Sequence, residues 1–150
     1  MRVVIQRVSK ASVTVDHNIT GSIGQGYVIL LGIEKEDTII DSDWLCKKIT
    51  ALRVFADTDG KMNLSVTDIE GECLIISQFT LHAGTKKGNR PSFIKAARPD
   101  QAIPLYEAFV SRMQDALTKP VQTGKFGADM QVSLINDGPV TIIIDSKTRE

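Results

Sequence analysis

Tyr27-Val28-Ile29-Leu30-Leu31-Gly32-Ile33 carries no charged side chain and almost no polar one. A half-buried strand alternates apolar and polar residues, whereas an unbroken apolar run of this length belongs to a strand covered on both faces. A simple two-layer sheet cannot meet that requirement, so a further layer has to lie beyond it. One candidate for that layer is a helix over residues 38–52. There Asp41 reads as the N-cap, and Trp44, Leu45, Ile49 and Leu52 follow at helical spacings. A second helix is expected over residues 103–117, with Leu105, Phe109, Met113 and Leu117 near helical spacing and Pro104 in its first turn.

The remaining segments read as strands and turns. Residues 2–8 and then 11–15 are expected as two short strands, with a turn at Asp16-His17-Asn18 and a returning strand over 19–23. Gly24-Gln25-Gly26 is a turn, and Arg53-Val54-Phe55 is a short strand. Asp57-Thr58-Asp59-Gly60-Lys61 is a solvated loop with too few acidic positions for an EF-hand. A central strand is expected over residues 73–81, turning polar in its last third at Ser77, Gln78 and Thr80. Near the end, Asn136-Asp137-Gly138-Pro139 lies between the apolar runs 130–135 and 140–144. It reads either as the turn of a hairpin or as a place where backbone atoms face a ligand. No internal repeat, linker or low-complexity tract interrupts the 150 residues, so one α/β domain spanning 1–150 is the reading.

Composition narrows the function classes. Eighteen Lys and Arg balance eighteen Asp and Glu, so no overall field draws the protein to nucleic acid, although a local patch can. The longest apolar runs are too short to cross a bilayer and no signal core opens the chain, which makes the cytoplasm the default location. Cys46 and Cys73 lack CxxC or metal-ligand spacing and read as reduced core residues. With His17 and His82 the only histidines, no metal site is expected.

Two constellations carry possible chemistry. Ser77-Gln78-Phe79-Thr80 closes a central strand, where open α/β sheets place their sites; the bland alternative is a strand end with capped polar groups. Strand alternation sets Gln78 and Thr80 on one face, where an amide and a hydroxyl can orient a carbonyl or a water. The chain has no G-x-S-x-G and no cysteine beside a base, and a threonine hydroxyl without a base is a weak nucleophile. The second constellation is the loop Gly84-Thr85-Lys86-Lys87-Gly88-Asn89-Arg90-Pro91-Ser92. Its three positive charges suit phosphate contacts, yet it matches no P-loop or dinucleotide loop.

Four stretches taken in order are family-like: Ser77-Gln78-Phe79-Thr80-Leu81, Lys87-Gly88-Asn89-Arg90-Pro91-Ser92-Phe93, Gly124-Lys125-Phe126-Gly127-Ala128-Asp129-Met130, and Asn136-Asp137-Gly138-Pro139-Val140-Thr141. With Gln6-Arg7-Val8 near the start, the chain resembles the D-aminoacyl-tRNA deacylases of the bacterial and eukaryotic type. His82 departs from the tyrosine that members often carry there. The fold expected is a single α/β domain whose mixed β-sheets form a barrel-like, α/β/β layered core with two main helices. The resemblance implies hydrolysis of the ester between a D-amino acid, or mischarged glycine, and the 3′-terminal adenosine of tRNA, with L-aminoacyl-tRNA rejected. It implies a homodimer, no cofactor, and neither a DNA nor a membrane partner. Ser77, Gln78 and Thr80 would act on the ester. Gly138 and Pro139, in the cis form, would be a chirality filter reaching into the partner's site. Arg7 would hold that pair, Phe79, Met130 and Asn136 would contact substrate, and Lys86, Lys87 and Arg90 would meet tRNA phosphates. A non-catalytic module that binds RNA ends is the alternative.

Overall fold

The first strand, β1 (Arg2–Val15), is continuous over 14 residues rather than broken into two, and the rest of the sheet is built on its two edges. Along one edge its first half pairs antiparallel with β3 (Gly26–Gly32), from Arg2 opposite Gly32 to Val8 opposite Gly26. Its second half pairs on that edge with β2 (Asn18–Ile23), through a two-residue turn at Asp16 and His17. Both turn residues have left-handed φ, 48° and 64°, as a type I′ hairpin requires. Ser9 and Lys10, where the sequence suggests a break, mark only the change of partner.

β3 continues the sheet in parallel with β6 (Glu72–Ser77), and β6 in parallel with the short β7 (Gln122–Thr123). Between them in sequence, β4 (Phe55–Ala56) and β5 (Met62–Leu64) form a separate hairpin. Its turn is held by the Asp57 carboxylate, which accepts the N–H groups of Asp59 and Lys61. β2 curls back over the sheet until Gly21 lies against β7. A Cβ on Gly21 would sit 2.8 Å from the Thr123 carbonyl oxygen. This curl nearly closes the sheet into a barrel.

The closure explains the apolar run in β3. Tyr27, Ile29 and Leu31 belong to a core shared with Leu45, Ile49, Phe109 and Met113 of the helices. Val28 belongs to a second core, with Val8, Val13, Ile23, Leu74 and Ile76 inside the curled sheet. One face is covered by helices and the other by strands, so the layers run α/β/β around one mixed sheet. All 150 residues are described in this computed structural model, and the architecture is the single layered domain that the sequence suggests.

Local details depart from the sequence reading at the helix starts. α1 (Ile39–Thr50) has Thr38 as its N-cap, and Asp41 stands three residues further on. The Asp41 carboxylate accepts the Thr38 N–H at 2.9 Å, so it closes a capping box from inside the first turn. α2 (Pro99–Ala116) begins four residues earlier than expected. Pro99 takes the first-turn role because its fixed φ suits that position, and Pro104 lies inside the helix. Cys46 and Cys73 are free and buried, and burial pushes both thiols up to about 12, which leaves them protonated and inert. No helix is long and apolar enough to cross a membrane.

The largest departure is at the end of the chain. Residues 130–135 and 140–144 do not form a hairpin. They are one strand, β8 (Gln131–Asp145), antiparallel to β1 along the edge opposite β2 and β3. Val8 lies opposite Asn136 and Gln6 opposite Thr141, so residues 137–140 bulge out against Arg7. Asn136 supplies the reason. Its side-chain oxygen accepts the Val140 N–H at 3.0 Å and its amide donates to the Thr141 hydroxyl at 2.8 Å. Those bonds close the excursion locally and return the chain to the ladder in the same direction. The Gly138–Pro139 bond in this bulge is cis.

Candidate active site

The polar residues at the end of β6 do not continue the strand, as the sequence reading expected. β6 stops at Ser77; the Gln78 N–H makes a last bond to the Leu31 carbonyl at 2.7 Å, and Phe79–His82 then turns as a short 3-10 helix. The turn fits because Gly32, at the end of β3, has no side chain. A Cβ there would lie 3.0 Å from both the Gln78 carbonyl oxygen and the Leu81 Cβ. Arg2 fastens the turn from the other side, donating to the Leu81 carbonyl at 2.9 Å. His82 is buried at its end, with Nδ1 4.0 Å from the Glu34 carboxylate and Nε2 unpartnered.

The turn brings Gln78 and Thr80 together by a route other than strand alternation. The Gln78 side-chain amide donates to Thr80 Oγ1. Thr80 is exposed, and neither histidine is bonded to its hydroxyl. The oxygen therefore accepts a neutral donor and has no base to take its proton. As arranged, it can position a carbonyl or a water and is poorly set up to attack.

Beside this turn opens a cavity of about 550 Å³. Ser77, Gln78, Phe79, Phe93, Phe126 and Met130 stand in its wall, and small alanines of the α2 approach complete it. Phe79, 56% exposed, meets Phe93 edge to face with ring centres 5.1 Å apart. Phe126 packs in the same way on Tyr106, whose hydroxyl donates to the Ile75 carbonyl at 2.8 Å. A largely apolar wall with a few polar groups at one end suits a flat ring system attached to a polar reacting group. Phe93 and Phe126 were not singled out as pocket residues from the sequence. Both lie outside any apolar periodicity in glycine-bearing loops, and a large aromatic there is a usable signal for binding.

The basic loop is pinned next to the cavity. Gly84 and Ser92 exchange two backbone hydrogen bonds, at 2.7 and 2.9 Å, and Lys86, Lys87 and Arg90 project from the exposed chain between them. Phe79 precedes the pinned base and Phe93 follows it, so the same segment supplies cavity wall and positive charge.

Arg7 and the bulge form a separate group. Arg7 Nε donates to the Asp137 carbonyl at 3.1 Å and lies 3.3 Å from the Asp137 carboxylate, while Nη1 donates to the Val54 carbonyl. Gly138 has φ 126°, and a Cβ there would approach Arg7 Nη2 to 2.8 Å, so the guanidinium is packed directly against the glycine. Gly138 and Pro139 are both exposed. Asn136, expected to contact substrate, spends its side chain on closing the bulge.

The two groups are far apart within one chain. Arg7 is opposite Tyr27 on β3, whereas the cavity lies where Leu31 meets Ser77. Four residues of strand separate those levels, roughly 13 Å at the usual rise. The bulge therefore does not line the cavity of its own chain.

The family model for D-Tyr-tRNA(Tyr) deacylase matches residues 4–145. A relative from Flavobacterium psychrophilum named D-aminoacyl-tRNA deacylase is 63% identical over 150 residues, the full length of both chains. A solved structure titled "c-Myc DNA Unwinding Element Binding Protein" is 44% identical, with TM-score 0.92 over 97% of this chain and 98% of that one. A probable eukaryotic D-amino acid tRNA deacylase shares the fold at 17% identity, with TM-score 0.78 over 95% of this chain and 97% of its own. The chain belongs to the D-Tyr-tRNA(Tyr) deacylase family of hydrolases.

Proposed function

We propose that this protein hydrolyses the ester linking a D-amino acid, or mischarged glycine, to the 3′-terminal adenosine of tRNA, and that it does so in the cytoplasm as a homodimer. The observation that carries the reading is the full-length identity of 63% to a relative named D-aminoacyl-tRNA deacylase. The site geometry supports the same reaction. The apolar cavity receives the terminal adenosine between Phe79 and Met130, with Ser77, Gln78 and Thr80 at the end where the ester lies. Lys86, Lys87 and Arg90 meet the phosphates of the acceptor end, which makes a neutral overall charge compatible with an RNA substrate.

An ester is already activated relative to an amide, so positioning and oxyanion stabilisation suffice for catalysis. Water attacks the carbonyl, assisted by the neighbouring ribose 2′-hydroxyl, while Thr80 and backbone N–H groups hold the carbonyl in place. Stereochemistry is read by exclusion. Gly138 and Pro139 of a second copy present a backbone wall that leaves room for hydrogen and none for a side chain on the L side. The separation of the bulge from its own cavity, roughly 13 Å along the strand, favours donation across a dimer over action in one chain.

The competing reading is a module that holds nucleic-acid ends without chemistry, favoured by the DNA-binding title of the relative at 44% identity and by the basic loop. Incubation with D-tyrosyl-tRNA, and with L-tyrosyl-tRNA as control, separates the two. Release of D-tyrosine far above the uncatalysed rate, with the L ester spared, is expected. Tight binding without release would leave the module reading standing.

A further inference from the structure

Met130 is held against the cavity wall by the absence of a side chain elsewhere. Gly124 lies between β7 and β8, and a Cβ built on it would overlap the Met130 sulfur. The same Cβ would lie 3.3 Å from Ile76 Cδ1 and 3.5 Å from Val13 Cγ2. Ile76 and Val13 are buried at 1% and 0% exposure in the curled-sheet core, with Leu74 and Val28 behind them. The Met130 side chain packs against that core on its inner side. The open volume next to Met130 is the cavity that it lines with Phe79, Phe126 and Ser77. The Gly124 backbone does not take a left-handed φ, so the need for glycine here is one of space and not of backbone conformation.

We propose that Gly124 is a positioning residue that sets the width of the adenosine seat by letting Met130 lie flat across it. The inference rests on the reading of the cavity as the seat of the substrate's terminal adenosine. A flexible thioether fills an irregular wall and makes favourable contacts with a ring, which suits a purine lying between it and Phe79. Adding one methyl at position 124 pushes the thioether into the seat and narrows it, so substrates lose ground-state binding while the ester chemistry at Thr80 is undisturbed.

The test measures adenosine affinity by calorimetry, and kcat and KM with D-tyrosyl-tRNA, for the full chain and three variants: Gly124→Ala, Met130→Ala, and the two combined. Gly124→Ala should weaken adenosine binding about tenfold, the size of effect that a single methyl commonly has in a tight pocket. KM should rise with it and kcat should stay within about twofold. In the Met130→Ala background the same glycine substitution should change affinity by less than about twofold, since the group it displaces is gone. An equal loss in both backgrounds, or unchanged affinity in a folded Gly124→Ala variant, overturns the proposal. If Gly124→Ala does not fold, Met130→Ala and the double variant carry the test, and a tenfold gap between them overturns it. Failure of the unaltered protein to bind adenosine while still releasing D-tyrosine would instead refute the adenosine seat itself, and the proposal with it.

Discussion

Thr80 offers an oxygen that accepts the Gln78 amide proton and has no base bonded to it, which favours the positioning role proposed for it over a nucleophilic one. A nucleophilic threonine needs a proton acceptor, whereas a positioning threonine needs only a fixed place. Thr80→Ala should therefore lower kcat for D-tyrosyl-tRNA by about a hundredfold to a thousandfold, the cost of one lost hydrogen bond to the reacting carbonyl. A covalent role would cost on the order of a millionfold, as nucleophile removal does in serine hydrolases. Single-turnover kinetics on the variant discriminates between them. At this scale the sequence shows which polar residues end the apolar run and not how the chain places them. Ser77, Gln78 and Thr80 are visible as polar residues ending an apolar run, but strand alternation is the wrong geometry for them. The signal for the turn is Gly32, distant in sequence, whose missing side chain leaves room for it.

Among the elements, α1 and the segment after β8 are joined by buried charge. Burial pushes the Asp41 carboxyl up. The Thr38 N–H, the Ser146 hydroxyl at 2.8 Å and the Lys147 ammonium at 3.0 Å outweigh it and hold the group well below the usual carboxylate range. A folded pKa below the unfolded one contributes stability above the unfolded value and loses it as pH falls through the folded one. Acid should thus begin to destabilise the protein near pH 5 and continue well below pH 4. In Asp41→Asn, stability at pH 7 should drop by on the order of 2 kcal/mol and this part of the acid limb should flatten. Urea denaturation at pH 3, 5 and 7 measures both. An unchanged acid limb would remove Asp41 from the account. The basic loop makes a different kind of prediction. Arg90→Ala should raise KM and make its salt dependence shallower by about 0.7 in log–log slope, the share of one phosphate contact on a single strand, with stereoselectivity intact. A KM series over sodium chloride concentration checks this. The boundaries of these elements were less legible than their existence. Asp41 looks like an N-cap because it is an acid ahead of an apolar series, and only the extended backbone at Thr38 shows that the cap lies three residues earlier. Pro99 and Pro104 are both permitted near a helix start, so the sequence alone does not choose between them.

For the whole molecule, the layered architecture was legible because one short stretch, residues 27–33, has no polar face. Of the two readings of Asn136-Asp137-Gly138-Pro139, the hairpin is not what forms, although every residue in it favours a turn. Turn-forming residues report a local change of direction, and here the Asn136 side chain returns the chain to its original heading. The proposed dimer makes its own prediction. If each site combines one chain's cavity with the other's bulge, Phe79→Ala and Gly138→Val proteins, each inactive alone, should complement when unfolded and refolded together. At equal amounts about a quarter of the sites would pair an intact cavity with an intact bulge. Activity no greater than the sum of the separate variants would show that cavity and bulge act within one chain.

β1 and β8 run side by side for nearly their full length, and that shared ladder works as a ruler. The bulge hangs from one mark on it and the cavity opens beside another, so their spacing is set by whole residues of extended chain. Moving the bulge by one ladder position would shift it about 3.3 Å and turn it toward the opposite face. If the bulge is the proposed stereochemical filter, which has to distinguish a hydrogen atom from a methyl group, it cannot absorb such a step. Insertions and deletions in these two strands should therefore be tolerated far less than any substitution on their surface.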